Sequence, residues 1–417
     1  MTATFCFWVL MLASTLGRIK VLGLPIGVGY LIIFLTSLGL FIFNSRAYCL
    51  EIGRHRQALA ISITLLAFSL LSTLLSPDFP IALRYYVRLI FYIVLFYDFL
   101  FILSIQEKKN KRNKPYSHQR YVLDPQTSFL SSWVSFLLLL SFLGIVELFF
   151  PNSWIFTLKY PSFHPRIGSI VQNPNTFGAL MVLGIVNAFY ILKSVVKKST
   201  SKLTWPVMMM FLISIILSGS RAAFLMLLLA AAAYSRKGKM RLLKQAKILI
   251  PAVLVMLLIM MLSRYPELAT GDATAFYKAA SYFSTSATSR LHIWLVTVQE
   301  FLKSPLVGQG FGIFPEVISL QIFGRSGMHS HNFFAEFSVS LGLAGIFLSA
   351  ILTREMIVNL PRLPEIVTYS LVIIFLSQMV DFFAYDLTFT ASAIYIFALA
   401  NSLLESGSFA NEEKTEN

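Results

Sequence analysis

Long apolar runs separated by short polar segments organise the whole chain. They fall at about 4–16, 22–43, 58–75, 85–105, 129–150, 175–192, 205–218, 222–234, 248–263, 332–352, 366–382 and 388–404. A helix needs about 20 apolar residues to cross the hydrocarbon core, and most of these runs reach or approach that length. The pattern predicts an all-α polytopic membrane protein of about 12 transmembrane helices, with residues 1–417 forming a single membrane domain. Ser218-Gly219-Ser220-Arg221 interrupts the stretch 205–234. Because arginine in mid-membrane is costly, we read two short helices in a hairpin with Arg221 at its tip. One broken helix would change the parity of every later span.

Two interhelical segments are long: 151–174, and 264–331 between spans 9 and 10. The second is long enough to need structure of its own. In it Ser289 caps a predicted helix whose apolar residues Leu291, Trp294, Leu295, Val298, Phe301 and Leu302 recur at helical spacing. This is expected to be an amphipathic helix lying on the membrane face, followed by the glycine-rich turn Gly308-Gln309-Gly310-Phe311-Gly312. The tail 405–417 is polar and is expected to be a disordered cytoplasmic segment.

Composition agrees with lipid as the main solvent: 57% of residues are hydrophobic, 13% are charged, and mean hydropathy is +0.73. The net charge of +15 is spread over short inter-span segments. It therefore reads as a topology signal and a contact for anionic lipid, and no nucleic-acid partner is expected. Most of the 34 Lys and Arg residues fall in alternate segments, around Arg46–Arg56, Lys108–Arg120, Lys193–Lys202, Arg236–Lys247 and Arg354–Arg362. The positive-inside rule puts those segments and both termini in the cytoplasm. Cys6 and Cys49 match neither a disulfide framework nor a metal spacing, and residues 4–16 read as a first span rather than a removed signal peptide.

The opposite, extracytoplasmic face collects Arg84, Arg88, Arg166, Gln172-Asn173-Pro174-Asn175, Arg221, Arg290 and His329-Ser330-His331-Asn332. Helices that start there turn their positive dipole ends outward, so amides and guanidinium groups together suit a multiply charged anion. Each residue also has a plainer role open to it. Arg84 can anchor at the interface and Arg88 can snorkel. Arg221 can cap a helix, Arg290 can be a surface charge, and Asn173 and Asn175 suit a turn and an N-cap. His331 at the start of a span offers a base, a donor or an anion contact. Outward carboxylates are Asp78, Glu147, Glu336, Asp381 and Asp386. With no D-x-D pair, H-E-x-x-H or P-loop spacing, no metal or cofactor is expected.

At these residues the chain resembles the O-antigen ligase and polymerase family. The resemblance rests on Gly168–Gly178 with its Asn-Pro-Asn core, Leu217–Ala222, Ser289-Arg290 ahead of Trp294, Pro305–Gly310, and His331-Asn332-Phe333 followed by Gly342–Gly345. It implies a metal-independent glycosyltransferase of the bacterial inner membrane, acting on the periplasmic or outer face in lipopolysaccharide or other polysaccharide biosynthesis. The implied donor is a glycan on undecaprenyl pyrophosphate, and the acceptor is a hydroxyl of a glycan or of lipid A-core. The family's essential residues map onto Arg221, Arg290 and His331, with the arginines on the pyrophosphate. His331 would orient or deprotonate the acceptor, or contact phosphate. Arg88, Arg84, Arg166, Asn173, Asn175 and Asn332 are the accompanying substrate-binding candidates. Direct displacement with inversion is expected, since no enzyme nucleophile stands out, although a carboxylate such as Asp78 would offer one. A transporter or flippase of an anionic or lipid-linked substrate is the competing reading, and a non-catalytic envelope scaffold a third. Against transport stands the lack of a visible repeat between the two halves.

Overall fold

The computed structural model describes residues 3–16, 27–112, 125–153, 166–171, 173–195, 201–237, 290–324, 327–380 and 386–406. The predicted span 248–263, Ser289, Gln172, His164, Asp381 and the tail beyond Ser406 lie outside them. The architecture is helical, with no β-strand among the described residues. The helices are α1 (Ala3–Thr15), α2 (Val28–Arg54), α3 (Arg56–Leu74), α4 (Phe79–Arg112), α5 (Pro125–Phe149), α6 (Pro174–Val195), α7 (Ser201–Ser218) and α8 (Arg221–Lys237). They continue with α9 (290–303), α10 (Ser319–Phe323), α11 (Phe333–Asn359), α12 (Glu365–Val380) and α13 (Leu387–Ser406).

Among the described residues, seven helices are long and apolar enough to cross a membrane: Val28–Arg54, Arg56–Leu74, Phe79–Lys108, Leu130–Phe149, Pro174–Ile191, Phe333–Arg362 and Leu387–Glu405. Ala3–Thr15, Trp205–Ser218, Arg221–Ala231, Phe314–Phe323 and Glu365–Met379 are shorter apolar helices. The helix in the apolar run 22–43 is Val28–Arg54, which continues beyond the run through non-helical backbone at Asn44 (φ −139°). The Asn44 amide Nδ2 donates to Leu40 O there, at 3.2 Å.

The chain forms two compact units, Met1–Ser132 with Ile293–Asn417, and Trp133–His292. In the first, α4 is the central helix and packs on α1, α2, α3 and α13. Its Asp98 is wholly buried and accepts from Ser37 Oγ and from Tyr48 Oη (2.8 Å), so an acid deep in an apolar bundle is satisfied by two hydroxyls of α2.

Helix ends in this unit sort into two groups. Gln57 Nε2 donates to Glu355 at 2.9 Å, and Lys108 Nζ lies 3.9 Å from Glu51, which joins the segments around 54, 108 and 355 at one end. At the other end Thr388 Oγ1 donates to Ser14 O, Asn332 Nδ2 to Met379 O and Ser76 Oγ to Gln309 O. Each group contains only segments that the charge pattern assigns to one side of the membrane. In the second unit α7 and α8 both pack on α6, and the interruption between them falls at Gly219 and Ser220.

Candidate active site

In the second unit the motif segments meet at one end of the helices. Asn173 Oδ1 caps α6, accepting from Asn175 N (3.0 Å) and Thr176 N (3.4 Å), which leaves the Asn175 side chain available. Asn175 Oδ1 accepts from Arg166 Nη2 at 2.7 Å, while Arg166 Nε donates to Ser218 O at 2.8 Å. The guanidinium therefore ties the start of α6 to the end of α7. Gly219, at φ +58°, lies against it: a Cβ there would stand 3.2 Å from Arg166 Nε. One residue on, Ser220 Oγ accepts from Ala223 N at 3.3 Å and caps α8, whose first residue is the half-buried Arg221.

Glu147 closes the same end from α5. Its Oε2 accepts the amides of Gly168 (2.8 Å) and Ser169 (2.7 Å), and Ser169 Oγ donates to Leu140 O. Ser169 holds φ +53°, a left-handed conformation that costs a non-glycine residue about 1–2 kcal/mol. The Glu147 carboxylate on two consecutive amides offsets that strain.

In the first unit His331 also has positive φ, +55°. It and Ser169 are the non-glycine residues with positive φ among the described residues, and both stand in segments that carry the family resemblance. The loop that holds His331 is braced on each side. Trp294 Nε1 donates to Ser330 O (3.0 Å), Ser330 N to Glu336 Oε2 (3.1 Å) and Ser330 Oγ to Asn332 O (3.0 Å). Asn332 Oδ1 caps α11 through Ala335 N at 3.2 Å, and its amide holds Met379 O. The rings of His329 and His331 lie 4.5 Å apart.

The segment after α9 docks into a break in α11. Gly342 has φ +64°, which opens the helix and frees carbonyls. The loop supplies donors for them: Gln309 N to Val339 O (2.8 Å) and Gly310 N to Ser340 O (3.0 Å), while Leu343 N donates back to Pro305 O (2.7 Å). A Cβ on Gly308 would stand 2.3 Å from Ser340 O, and one on Gly342 2.5 Å from Pro305 O, so both positions require glycine. The predicted amphipathic helix is α9. Ile293 and Val296 pack with Ala82, Phe314, Ile318 and Val339, while Leu291, Leu295, Val298 and Leu302 face outward. That exposed stripe is what a helix resting in lipid presents.

Arg84 is exposed, and Arg88 is half-buried with its Cζ 4.5 Å from the centre of the Tyr85 ring and 6.0 Å from that of Tyr30. Arg290 is half-buried at the start of α9. The expected outward acids are engaged with backbone amides: Asp78 Oδ1 with Ile81 N, Asp386 Oδ1 with Thr388 N and Phe389 N, and Glu147 and Glu336 as above. Asp78 thus serves as a cap of α4. Two groups escaped the sequence reading, Asp98 and Glu316. Glu316 accepts from Tyr85 Oη at 2.8 Å across 231 residues of sequence, a pairing without local signal. A cavity of about 1610 Å³ runs along the first unit, with Phe333 at one end, Phe96, Phe375 and Phe397 along it, and Gln57, Glu355 and Arg362 at the other.

These features define a multi-pass helical membrane protein with a polar, arginine-bearing end in each unit. The O-antigen ligase family model matches residues 206–350, which supports over that stretch the resemblance drawn from the motifs. The match takes in Arg221, Arg290, His331 and the Gly308 and Gly342 contacts, while Arg84, Arg88, Arg166, Asn173 and Asn175 precede it. No curated protein matches the chain.

Proposed function

We propose that the protein transfers a glycan from undecaprenyl pyrophosphate to an acceptor hydroxyl on the extracytoplasmic side of the bacterial inner membrane, with both termini cytoplasmic and twelve crossings. The observation that carries this reading is the strained, braced His331 within an O-antigen ligase match that also contains Arg221 and Arg290. Glycosyl transfer builds positive charge at the anomeric carbon while pyrophosphate departs. Guanidinium groups on the leaving group therefore stabilise the transition state more than the ground state. In this reading Arg221 and Arg290 are assigned to the pyrophosphate, Arg166, Asn175 and Arg88 to substrate binding, and His331 to the reacting centre. Helical spacing supports the grouping of two of these: Arg290 stands one turn before Trp294, whose indole is bonded beside His331. The apolar cavity that starts at Phe333 suits a polyprenyl tail. Direct displacement gives inversion, without metal.

The test is turnover by the purified protein in vesicles loaded with lipid-linked glycan. Release of undecaprenyl pyrophosphate together with a new glycosidic product is expected. Movement of intact substrate across the bilayer without either would establish the transporter reading instead. Envelope glycan from a deletion strain separates the two transferase roles: short repeats mark a polymerase, and full chains stranded on carrier lipid mark a ligase.

A further inference from the structure

Among the described carboxylates at the His331 end of the first unit, and around Glu147 in the second, nearly all are spent on structure. Asp78 and Asp386 cap helices, Glu147 and Glu336 hold loop amides, and Glu300 pairs with Lys303 at 2.5 Å. Glu316 differs. Its one bond comes from a side chain, Tyr85 Oη to Oε1 at 2.8 Å, and it is half-exposed.

The local backbone is built to present this group. Glu316 stands in a π-helical turn, Phe314–Ile318, a widened geometry that recurs at functional sites because it re-aims one side chain out of the helical row. The turn is fastened on two sides. Gly327 N donates to Pro315 O at 2.6 Å, which ties it to the segment leading into His329 and His331. Phe314 and Ile318 sit in the apolar cluster with Ile293, Val296 and Val339, which Met328 also joins.

Tyr85 is fixed as firmly. Its ring lies against the backbone of Gly312, where a Cβ would come within 2.1 Å of Cδ2, and only 7% of Tyr85 is exposed. The Arg88 guanidinium carbon lies 4.5 Å from the centre of the Tyr85 ring. A cation over the ring strengthens the phenol as a hydrogen-bond donor. The phenol then fixes one carboxylate oxygen of Glu316 and leaves Oε2 without a bond among the described residues.

We infer that Glu316 is the general base for the acceptor hydroxyl, with Tyr85 as its positioning residue. This rests on the transferase reading above and assigns the proton that reading leaves open. The acceptor O–H proton passes to the Glu316 carboxylate as the acceptor oxygen forms its bond to the anomeric carbon. The bond from that carbon to pyrophosphate breaks, and its electron pair leaves on the pyrophosphate. Displacement with inversion needs a base on the attacking hydroxyl, and a carboxylate that the phenol holds by one oxygen keeps its second oxygen for that proton. General-base catalysis of this kind contributes typically 100- to 10,000-fold.

The experiment uses the full chain in vesicles with lipid-linked glycan, comparing wild type with Glu316→Gln and Tyr85→Phe. Glu316→Gln keeps an acceptor for the Tyr85 hydroxyl but no basic oxygen, so kcat is expected to fall at least about 100-fold with donor KM unchanged. Tyr85→Phe keeps the ring and its stack and is expected to lower kcat less, again at constant donor KM. An acceptor with a more acidic hydroxyl needs less help from a base, and should narrow the gap between wild type and Glu316→Gln. A loss of less than tenfold, or a gap indifferent to acceptor acidity, overturns the assignment. Should Glu316→Gln not be recovered folded from membranes, the Tyr85→Phe comparison across the two acceptors decides on the same terms. A wild-type protein that releases no undecaprenyl pyrophosphate instead removes the transferase reading, and this inference with it.

Discussion

Arg166 and Ser218, 52 residues apart in sequence, are joined by a 2.8 Å hydrogen bond from guanidinium Nε to the backbone carbonyl. The same guanidinium reaches Asn175 at 2.7 Å, so one side chain holds the end of α7 and the start of α6 together beside Arg221. A planar fork makes both bonds at once, and an ammonium does not reproduce that geometry.

Arg166→Lys should therefore loosen this end despite its retained charge. Thermal unfolding in detergent is expected to show a loss of about 1–3 kcal/mol, and turnover should fall with it. Unchanged stability and turnover would mean that the two bonds contribute nothing.

Gly308→Ala and Gly342→Ala each place a methyl group on a backbone carbonyl, at 2.3 Å and 2.5 Å, with positive φ in both cases. Each variant should lose more than the roughly 1–3 kcal/mol of a strained backbone position. Gly324→Ala, also at positive φ but with nothing within 4 Å, is the control and should lose only the conformational part. Equal losses at all three positions would remove steric contact as the cause.

Arg221→Ala, Arg290→Ala and His331→Ala should each abolish glycan transfer while leaving membrane insertion and thermal stability near wild type. Product formation in purified protein checks this, and normal turnover in any one variant removes that residue from the proposed site.

Asp98→Ala withdraws the acceptor of the buried Tyr48 hydroxyl, whereas Ser37 Oγ retains Ile33 O at 2.8 Å. An unsatisfied buried hydroxyl costs about 1–3 kcal/mol. In a double-mutant cycle, Tyr48→Phe should recover part of the Asp98→Ala loss. Strict additivity would show that the two side chains do not interact.

Transfer should persist at full rate in excess EDTA, because the proposed mechanism assigns the pyrophosphate charge to the Arg221 and Arg290 guanidinium groups and not to a metal ion. Loss of turnover that added Mg²⁺ or Mn²⁺ restores would point to a metal held elsewhere.

Much of the helical layout was legible in the chain because apolar length and periodicity are local properties. Among the described residues, the predicted runs outside 248–263 fall in helices. The break at Gly219 and Ser220 was equally visible, since a polar tetrapeptide interrupts an apolar stretch. The extension of α2 to Arg54 was not, because its last turns are polar and gain their support from tertiary contacts such as Glu51 with Lys108. At the candidate site the arginines, His331 and the glycines were legible as residue types out of place in apolar surroundings. Their partners were not: Tyr85 with Glu316, and Gly308 with Ser340, are pairings between distant segments.

By itself the sequence determined that the chain is built of apolar helices of membrane length and where most of them begin and break, and it predicts which polar residues share a side. Those follow from hydrophobic length, charge asymmetry and capping chemistry, all of which act over a few residues. Only the tertiary structure decided how each polar group is used. It made Asp78 a cap and Glu147 a brace, and gave Glu316 a phenol as its partner, because the role of a carboxylate depends on which amides and hydroxyls the fold brings within hydrogen-bond reach of it.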